Sequence, residues 1–294
     1  MRTDLSEVHE QTLTEINLED VLEAIGVTRS GLLGRGLRKL LRSSARKFAR
    51  QILTFDRRVA EIGLHHAASQ FITIYVEEVR VVGDVRVPAQ GPLLVLANHP
   101  GLSDALALFT ALPREDLRIL AAERPFLEAL PAIRPYLISV PISEAARMPV
   151  LRQAIQHLRA GGALLNFPAG RIEPDPAVLP GAREAVGAWS ESIGLFVRSV
   201  PQAVVMPIIV SGVLARAALH HPLTRLRRTP RERERLAATL WILYQLHRPG
   251  RWPVRVVVHF LPPLYAAQLA PLHDVSAITR AVITHIQAHF PLQE

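Results

Sequence analysis

His99 and Asp104 are the two side chains of this sequence whose types and spacing could do chemistry. Both stand in segment 98–104, which runs Asn-His-Pro-Gly-Leu-Ser-Asp. On a single helix, five steps of about 100° would keep them apart, but a turn through Pro100 and Gly101 can bring them together. The carboxylate could then hold one ring nitrogen while the other faces a cleft. Such a pair is a general base with its orienting group, and it requires no protein nucleophile.

The flanking residues predict how this pair is positioned. Residues 93–97 are an apolar run typical of a buried strand, and residues 105–109 begin a buried helix. Ser103 stands where its hydroxyl could cap that helix. A turn whose polar residues only cap a helix would have the same composition, so the pair needs a second motif beside it.

Two more apolar strands end in distinctive residues. Residues 164–171 read Leu-Leu-Asn-Phe-Pro-Ala-Gly-Arg, and residues 205–212 read Val-Met-Pro-Ile-Ile-Val-Ser-Gly. Exposed N–H groups at the Gly170 turn and the forked guanidinium of Arg171 suit a phosphate group. The alternative is a surface arginine beside an ordinary turn.

In order and spacing, these segments resemble the motifs of the glycerolipid acyltransferases, the superfamily that includes lysophosphatidate acyltransferases. Segment 98–104 matches the Asn-His-four residues-Asp motif. Segment 164–171 looks like the Phe-Pro-Glu-Gly-x-Arg motif, and 205–212 is similar to the family's proline-containing fourth motif. The resemblance runs from about residue 79 to 212, with a continuation to about residue 264, and so covers more than half of the chain.

The resemblance implies transfer of a fatty acyl group from acyl-CoA or acyl carrier protein to the hydroxyl of a lysophospholipid-type acceptor. His99 would be the general base, since a free imidazole has a pKa of about 6.5, and Asp104 would fix its tautomer. Asn98 could donate a hydrogen bond within the loop, while Gly170 and Arg171 would meet a phosphorylated acceptor. No cofactor is implied beyond the acyl donor as co-substrate.

The sequence departs from the family pattern at two places. Ala169 stands where the family has Glu, and Glu173 is the nearest carboxylate that could substitute. This departure favours an acceptor other than lysophosphatidate. The family's second motif carries an arginine after a short strand, and here Arg147 is the nearest candidate, displaced from the usual position. A solvated residue at the start of a helix is the alternative for Arg147.

Two other functions stay open at this point. The chain could acylate a non-glycerophosphate acceptor, such as an amino-lipid or another polar lipid, with the same base. It could instead be a catalytically silent lipid- or acyl-binding protein of a membrane surface. The second alternative predicts that replacing His99 leaves the function intact.

Composition excludes several classes. The 294 residues are 49% hydrophobic and include no cysteine, which allows a large core and excludes disulfides, thiolate metal sites and a cysteine nucleophile. The histidine pairs 65–66 and 220–221 have no further ligand at metal-binding spacing, so no metal site is expected. Residues 1–25 are acidic and lack an apolar stretch, so no secretory signal is expected. The sequence contains no run of about 18 uncharged apolar residues, so no membrane-spanning helix is expected.

The net charge of +8 is concentrated in two stretches. Ten basic residues lie between Arg29 and Arg58 against Asp56 alone, and ten arginines lie between Arg216 and Arg255. An anionic membrane surface and nucleic acid compete as partners, but no nucleic-acid motif appears and aromatic residues are only 5% of the chain. We therefore expect a peripheral protein on the cytoplasmic face of a membrane and no nucleic-acid partner.

The apolar residues between Leu33 and Ile52 recur at helical spacing opposite the basic side. This pattern suits a helix lying in the lipid interface. It equally suits an amphipathic helix docked on its own domain.

The predicted fold is an α/β domain over residues 71–294, with a mainly parallel central sheet flanked by helices on both faces. A helical, basic amphipathic segment covers residues 1–70, and the glycines of 30–36 are interpreted as a loop within it. The predicted strands are 79–82, 93–97, 118–121, 137–140, 163–167, 204–210 and 254–260. The predicted helices of the sheet region are 104–111, 149–159, 182–196, 233–246 and 275–289.

Overall fold

A computed structural model describes residues 2–27, 31–83, 86–101, 103–143 and 146–291 of the chain. Three residues of the sequence arguments lie outside these ranges. They are Arg29 of the first basic stretch, Ser30 of the predicted loop and Leu102 of the first motif.

Eight strands form one sheet in the described part of the chain. They are β1 (Glu78–Gly83), β2 (Leu93–Ala97), β3 (Arg118–Ala122), β4 (Leu137–Val140), β5 (Ala163–Asn166), β6 (Val204–Ser211), β7 (Arg255–Phe260) and β8 (Leu264–Tyr265). The helices in the same ranges are α1 (Arg2–Ile25), α2 (Leu32–Ile62), α3 (Leu64–Phe71), α4 (Ser103–Ala111), α5 (Pro125–Glu128), α6 (Arg147–Arg159), α7 (Ala182–Ala185), α8 (Ser192–Ser199), α9 (Arg216–Leu219), α10 (Pro230–His247), α11 (Ala266–Leu269) and α12 (Val275–Ala288).

The sheet is mostly parallel. Its order is β1-β7-β6-β2-β5-β3-β4, with β8 beside β6, and only the pairings of β6 with β7 and β8 are antiparallel. Because β6, β2, β5, β3 and β4 run in the same direction, their carboxyl ends meet at one edge. In parallel α/β sheets this edge is where ligands bind. The predicted α/β class with a helical N-terminal segment is confirmed.

Both faces of the central strands are buried, as expected when helices cover a parallel sheet. On one face Leu94, Leu96 and Leu164 join an apolar cluster with residues of α6, α8 and α12. The alternate residues Leu93 and Val95 are also fully buried. The near-continuous apolar runs that predicted these strands follow from this two-sided burial.

The chain divides into two compact units. The first comprises Met1–Glu77, Arg124–Arg134 and Leu214–Val254, and the second comprises the rest, including the whole sheet. The family-like motifs all lie in the second unit. The division of the sequence near residue 70 into a basic segment and a catalytic domain stays a prediction.

Within the first unit the apolar side of α2 is buried over only part of its length. Ala49, Ile52, Phe55 and Val59 are buried and α2 contacts α1, α3 and α10, whereas Leu40 is 71% exposed. The lipid-interface helix and the helix docked on its own domain therefore both stay predictions. The basic residues of α2 remain largely on its exposed side.

Two predictions of secondary structure are wrong. Gly34 and Gly36 lie inside α2 rather than in a loop, because packing of the long amphipathic helix outweighs a propensity cost of about 1 kcal/mol for each glycine. The single helix predicted over 182–196 is interrupted. Between α7 and α8 the backbone becomes extended at Trp189, whose indole N–H donates a hydrogen bond to Glu173.

The position of Gly36 inside α2 is testable by a single substitution. A Cβ added at Gly36 meets no atom within 4 Å, so we expect Gly36→Ala to raise the free energy of unfolding by about 0.5–1 kcal/mol. Chemical denaturation would measure the change.

Gly194→Ala is the matched control, because a Cβ there would lie 2.1 Å from the Val275 carbonyl oxygen. We expect this variant to lose stability. An unchanged or lowered stability of Gly36→Ala would contradict the helical assignment.

Candidate active site at the carboxyl edge of the sheet

The turn after β2 brings His99 and Asp104 into contact. The imidazole Nδ1 lies 2.7 Å from Oδ2 of Asp104, whose side chain is fully buried. The same carboxylate accepts N–H bonds from Gly101 at 2.9 Å and from Ala105 at 2.6 Å. Asp104 lies in the first turn of α4, where the positive end of the helix dipole stabilises a carboxylate. Asp104 is thus fixed from several sides before it acts on the histidine.

This contact sets the tautomer of the histidine. An ionised carboxylate only accepts hydrogen bonds, so Nδ1–H donates to Asp104, and Nε2 is the nitrogen able to take up a proton. The His99 side chain is 30% exposed, and its ring stacks on Phe167 with centroids 4.6 Å apart. The geometry is that of a general base held by a buried carboxylate.

The predicted role of Ser103 is wrong. Ser103 is the first residue of α4 rather than the residue before it, and its buried hydroxyl has no hydrogen-bond partner among the residues that the structure describes. Asp104 makes the local side-chain contacts instead, because its longer reach lets one carboxylate meet the N–H of Gly101 and of Ala105 as well as the imidazole.

Asn98 extends the pairing of β2 with β6 through its side chain. The amide donates to the Val210 carbonyl at 2.9 Å and accepts the Val210 N–H at 2.7 Å. The residue is only 2% exposed. This two-way contact fixes the start of the turn that carries His99. The predicted hydrogen bond of Asn98 within the loop is wrong, because its amide pairs with Val210 of β6 instead. Contact of Asn98 with a substrate stays a prediction.

The turn after β5 places Gly170 and Arg171 at the same edge. The N–H of Gly170 donates to the Phe167 carbonyl at 3.0 Å, and Gly170 has a φ of +61°, which favours glycine. Arg171 is exposed. Ala169, where the family has Glu, instead packs against the apolar cluster of the sheet.

Glu173 lies in the interior rather than in an open cleft. Its carboxylate is buried and accepts the backbone N–H of His99 at 3.0 Å and the indole N–H of Trp189 at 2.8 Å. Burial raises the pKa of Glu173, while these two hydrogen bonds and the charges of His99 and Arg171 oppose that rise. The structure therefore brings Glu173 to the histidine, and its predicted contact with a substrate stays a prediction.

Arg147 lies on a different element from His99 and Asp104. It begins α6 after the outer strand β4, is exposed, and donates to the Ile142 carbonyl at 3.4 Å. Three strand spacings of about 4.8 Å, or about 14 Å in all, separate β4 from β2. An acceptor contact from Arg147 stays a prediction, with this separation as its constraint.

Two residues of the site were missed from the sequence. Trp189 binds Glu173, and Asp175 accepts the N–H of Gly212 at 2.8 Å and the N–H of Ala177 at 3.0 Å. Asp175 thereby joins the turn after β5 to the end of β6. The contacts that join them to the site, Trp189 to Glu173 and Asp175 to Gly212, span 16 and 37 positions, which no local pattern marks.

The structure shows neither a metal-binding cluster nor a membrane-spanning helix in the part of the chain that it describes. In the ranges that it describes, no group of three or more His, Cys, Asp or Glu side chains could hold a metal ion. No helix in those ranges is long and apolar enough to cross a membrane.

Comparison with known proteins gives a matching family model and a similar solved structure. Residues 78–211 match the family model described as Acyltransferase. The chain is similar to the crystal structure of the 1-acyl-sn-glycerophosphate (LPA) acyltransferase, PlsC, from Thermotoga maritima, with 18% identity, coverage of 98% of this chain and 97% of that chain, and a TM-score of 0.43. No curated protein matches the chain.

Proposed function

We propose that this chain, whose residues 78–211 match the Acyltransferase family model, transfers a fatty acyl group to the hydroxyl of a lysophospholipid-type acceptor. The acyl donor is acyl-CoA or acyl carrier protein. The observation that carries the proposal is the 2.7 Å contact between His99 Nδ1 and the buried carboxylate of Asp104. This contact lies inside the family segment, at the ligand-binding edge of the sheet.

The proposed reaction is a direct acyl transfer. Nε2 of His99 takes the proton of the acceptor hydroxyl as the oxygen attacks the thioester carbonyl carbon. The carbon–sulfur bond then breaks, an ester forms, and the proton passes from the imidazolium to the departing thiolate. Asp104 stabilises the imidazolium between these steps. Neither a protein nucleophile nor a covalent intermediate is needed.

The charges at the turn after β5 favour an anionic acceptor headgroup. Arg171 is exposed, and a Cβ added at Gly170 would meet no atom within 4 Å, so there is space for a ligand beside this turn. Glu173, the nearby carboxylate, is buried and bound to His99 and Trp189, which makes it a poor partner for the ammonium group of an amino-lipid. We therefore favour a phosphate-bearing acceptor over an amino-lipid.

We further propose peripheral attachment to an anionic membrane surface on its cytoplasmic face. The acids of α1 neutralise part of the basic side of α2, since Glu10 pairs with Arg46 and Arg50 and Glu15 pairs with Arg38 and Arg42. The segment 222–231 is a better contact surface. Leu226 is 73% exposed there, beside exposed arginines at 225, 228 and 231. An apolar side chain among cations suits an anionic lipid interface.

The first prediction concerns the base and its orienting group. We expect His99→Ala to lower acceptor-dependent thiol release by about 10²–10⁴-fold, because general-base catalysis contributes that much. Asp104→Asn should also lower the rate strongly, because an amide can favour the wrong tautomer. Thiol release would be measured with a panel of acyl-CoAs, acyl carrier proteins and lysolipids.

Both variants should be compared at equal folded concentration, with circular dichroism as the check. Equal release by wild type and His99→Ala, or no release with any donor, would contradict the catalytic role. Either result would favour the silent lipid-binding alternative.

The second prediction separates the two candidate acceptor-binding arginines. We expect Arg171→Gln to raise the KM of a phosphate-bearing acceptor about 10-fold, because a charge-assisted, forked contact is lost. Arg147→Gln is the matched control and should change this KM less than about 2-fold, given the distance of β4 from β2. The reverse order of effects would assign the acceptor phosphate to Arg147.

The third prediction concerns membrane attachment. We expect Leu226→Asp to weaken binding to phosphatidylglycerol-containing vesicles about 10-fold, because it removes an inserting side chain and adds a negative charge. Leu272→Asp makes the same change at another exposed leucine and serves as the control. Vesicle co-sedimentation would measure both, and equal losses or no loss would contradict the assigned surface.

A further inference from the structure

Glu173 hydrogen-bonds main-chain groups of His99 that lie beyond the strand pairing of the sheet. The pairing of β2 ends at Leu96 with Asn166 on one side and at Ala97 with Ile208 on the other. The main chain of His99 therefore lies beyond the last paired residues of its strand. Its N–H and C=O groups require other partners, since unpaired buried backbone groups are costly.

Glu173 supplies both partners. Its carboxylate accepts the N–H of His99 at 3.0 Å, and its own N–H donates to the His99 carbonyl at 2.9 Å. These two bonds act in the manner of a strand pairing, with a carboxylate in place of one carbonyl. A residue 74 positions away along the chain thus fixes the backbone that carries the base.

The carboxylate is itself held in place. Trp189 is 4% exposed within the apolar cluster and donates its indole N–H to Oε1 of Glu173, while Oε2 takes the His99 N–H. Each oxygen therefore has a separate N–H donor. The interrupted helix between α7 and α8 is what aims the indole at Glu173.

The charge of Glu173 also acts on the histidine. The charged groups that interact with it are His99 and Arg171. A negative charge near the imidazole favours the imidazolium that forms when the base takes up a proton. The position of Glu173 and its negative charge therefore both favour proton uptake by His99.

We propose that Glu173 is a positioning residue for the acyl transfer. It holds the main chain of His99 so that the imidazole meets Asp104 and the acceptor hydroxyl, and its charge stabilises the protonated base. This inference rests on the proposed function. It differs from a substrate-binding role, because both carboxylate oxygens are directed at protein groups.

The test uses Glu173→Gln in the full-length chain. An amide offers one oxygen to two N–H donors and carries no charge. We expect kcat to fall about 10- to 100-fold, because small misplacements of a reacting group are costly, while the KM of the acyl donor stays within about 2-fold. The acid limb of the kcat/KM profile should move to lower pH, because loss of the negative charge disfavours the imidazolium.

Asp175→Asn is the matched control. Asp175 is a buried carboxylate two positions further on, and it binds the N–H groups of Gly212 and Ala177. It should reproduce any general loosening of this segment without moving the acid limb. Equal effects of Glu173→Gln and Asp175→Asn on kcat and on the acid limb would overturn the proposal.

Glu173→Asp separates position from charge and also serves if Glu173→Gln does not fold. The shorter side chain keeps the charge but loses about 1.5 Å of reach. We expect kcat to fall while the acid limb stays near that of wild type. Full activity in Glu173→Asp would show that the distance to His99 does not matter and would overturn the positioning role.

A readout independent of turnover distinguishes failure of this inference from failure of the proposed function. The histidine ring resonances can be titrated by NMR, with His99→Ala identifying the signal of His99. A downward shift of its midpoint in Glu173→Gln, absent in Asp175→Asn, would support the coupling even if no acyl acceptor were found. An unmoved midpoint would overturn it even in an active enzyme.

Discussion

At the carboxyl edge of the sheet, main-chain N–H and C=O groups have no strand partner. The site depends on how these groups are hydrogen-bonded. Parallel strands satisfy each other only along their paired length, and a catalytic turn must begin where pairing ends. The backbone beyond that point is buried and still requires hydrogen bonds. Here side chains provide them. Asn98 binds Val210, Glu173 binds His99, and Asp175 binds Gly212.

This arrangement gives a site built from turns several fixed contacts. Phe167 contacts the histidine ring, Asp104 holds its Nδ1, and Glu173 holds its main chain. Asp104 follows β2, whereas Phe167 and Glu173 both lie in the segment after β5. Such contacts hold the proposed general base at its backbone as well as at its ring, which is the preorganisation that proton transfer requires.

The sequence predicted local features well and distant ones poorly. The central strands β2, β5 and β6 were predicted correctly because their apolar runs reflect burial on both faces, and the contact of His99 with Asp104 was predicted because both lie in one turn. The role of Glu173 and Trp189 was not found, since their partners lie 74 and 16 positions away. The break before α8 was missed for the same reason, because a tertiary contact of Trp189 overrides a helical pattern. Gly36 shows the reverse error, where local propensity was trusted over the packing of α2.

The sorting of charge completes the argument for an anionic substrate. Three carboxylates of the site, those of Asp104, Glu173 and Asp175, are buried and accept hydrogen bonds from N–H groups, which stabilise a negative charge on them. Arg171 remains exposed at the same edge. A carboxylate left exposed beside the base would repel a phosphate, whereas buried and hydrogen-bonded carboxylates orient the histidine without presenting that charge to the ligand. The absence of a carboxylate at Ala169 is consistent with this division, because its methyl group adds to the apolar cluster beneath the turn.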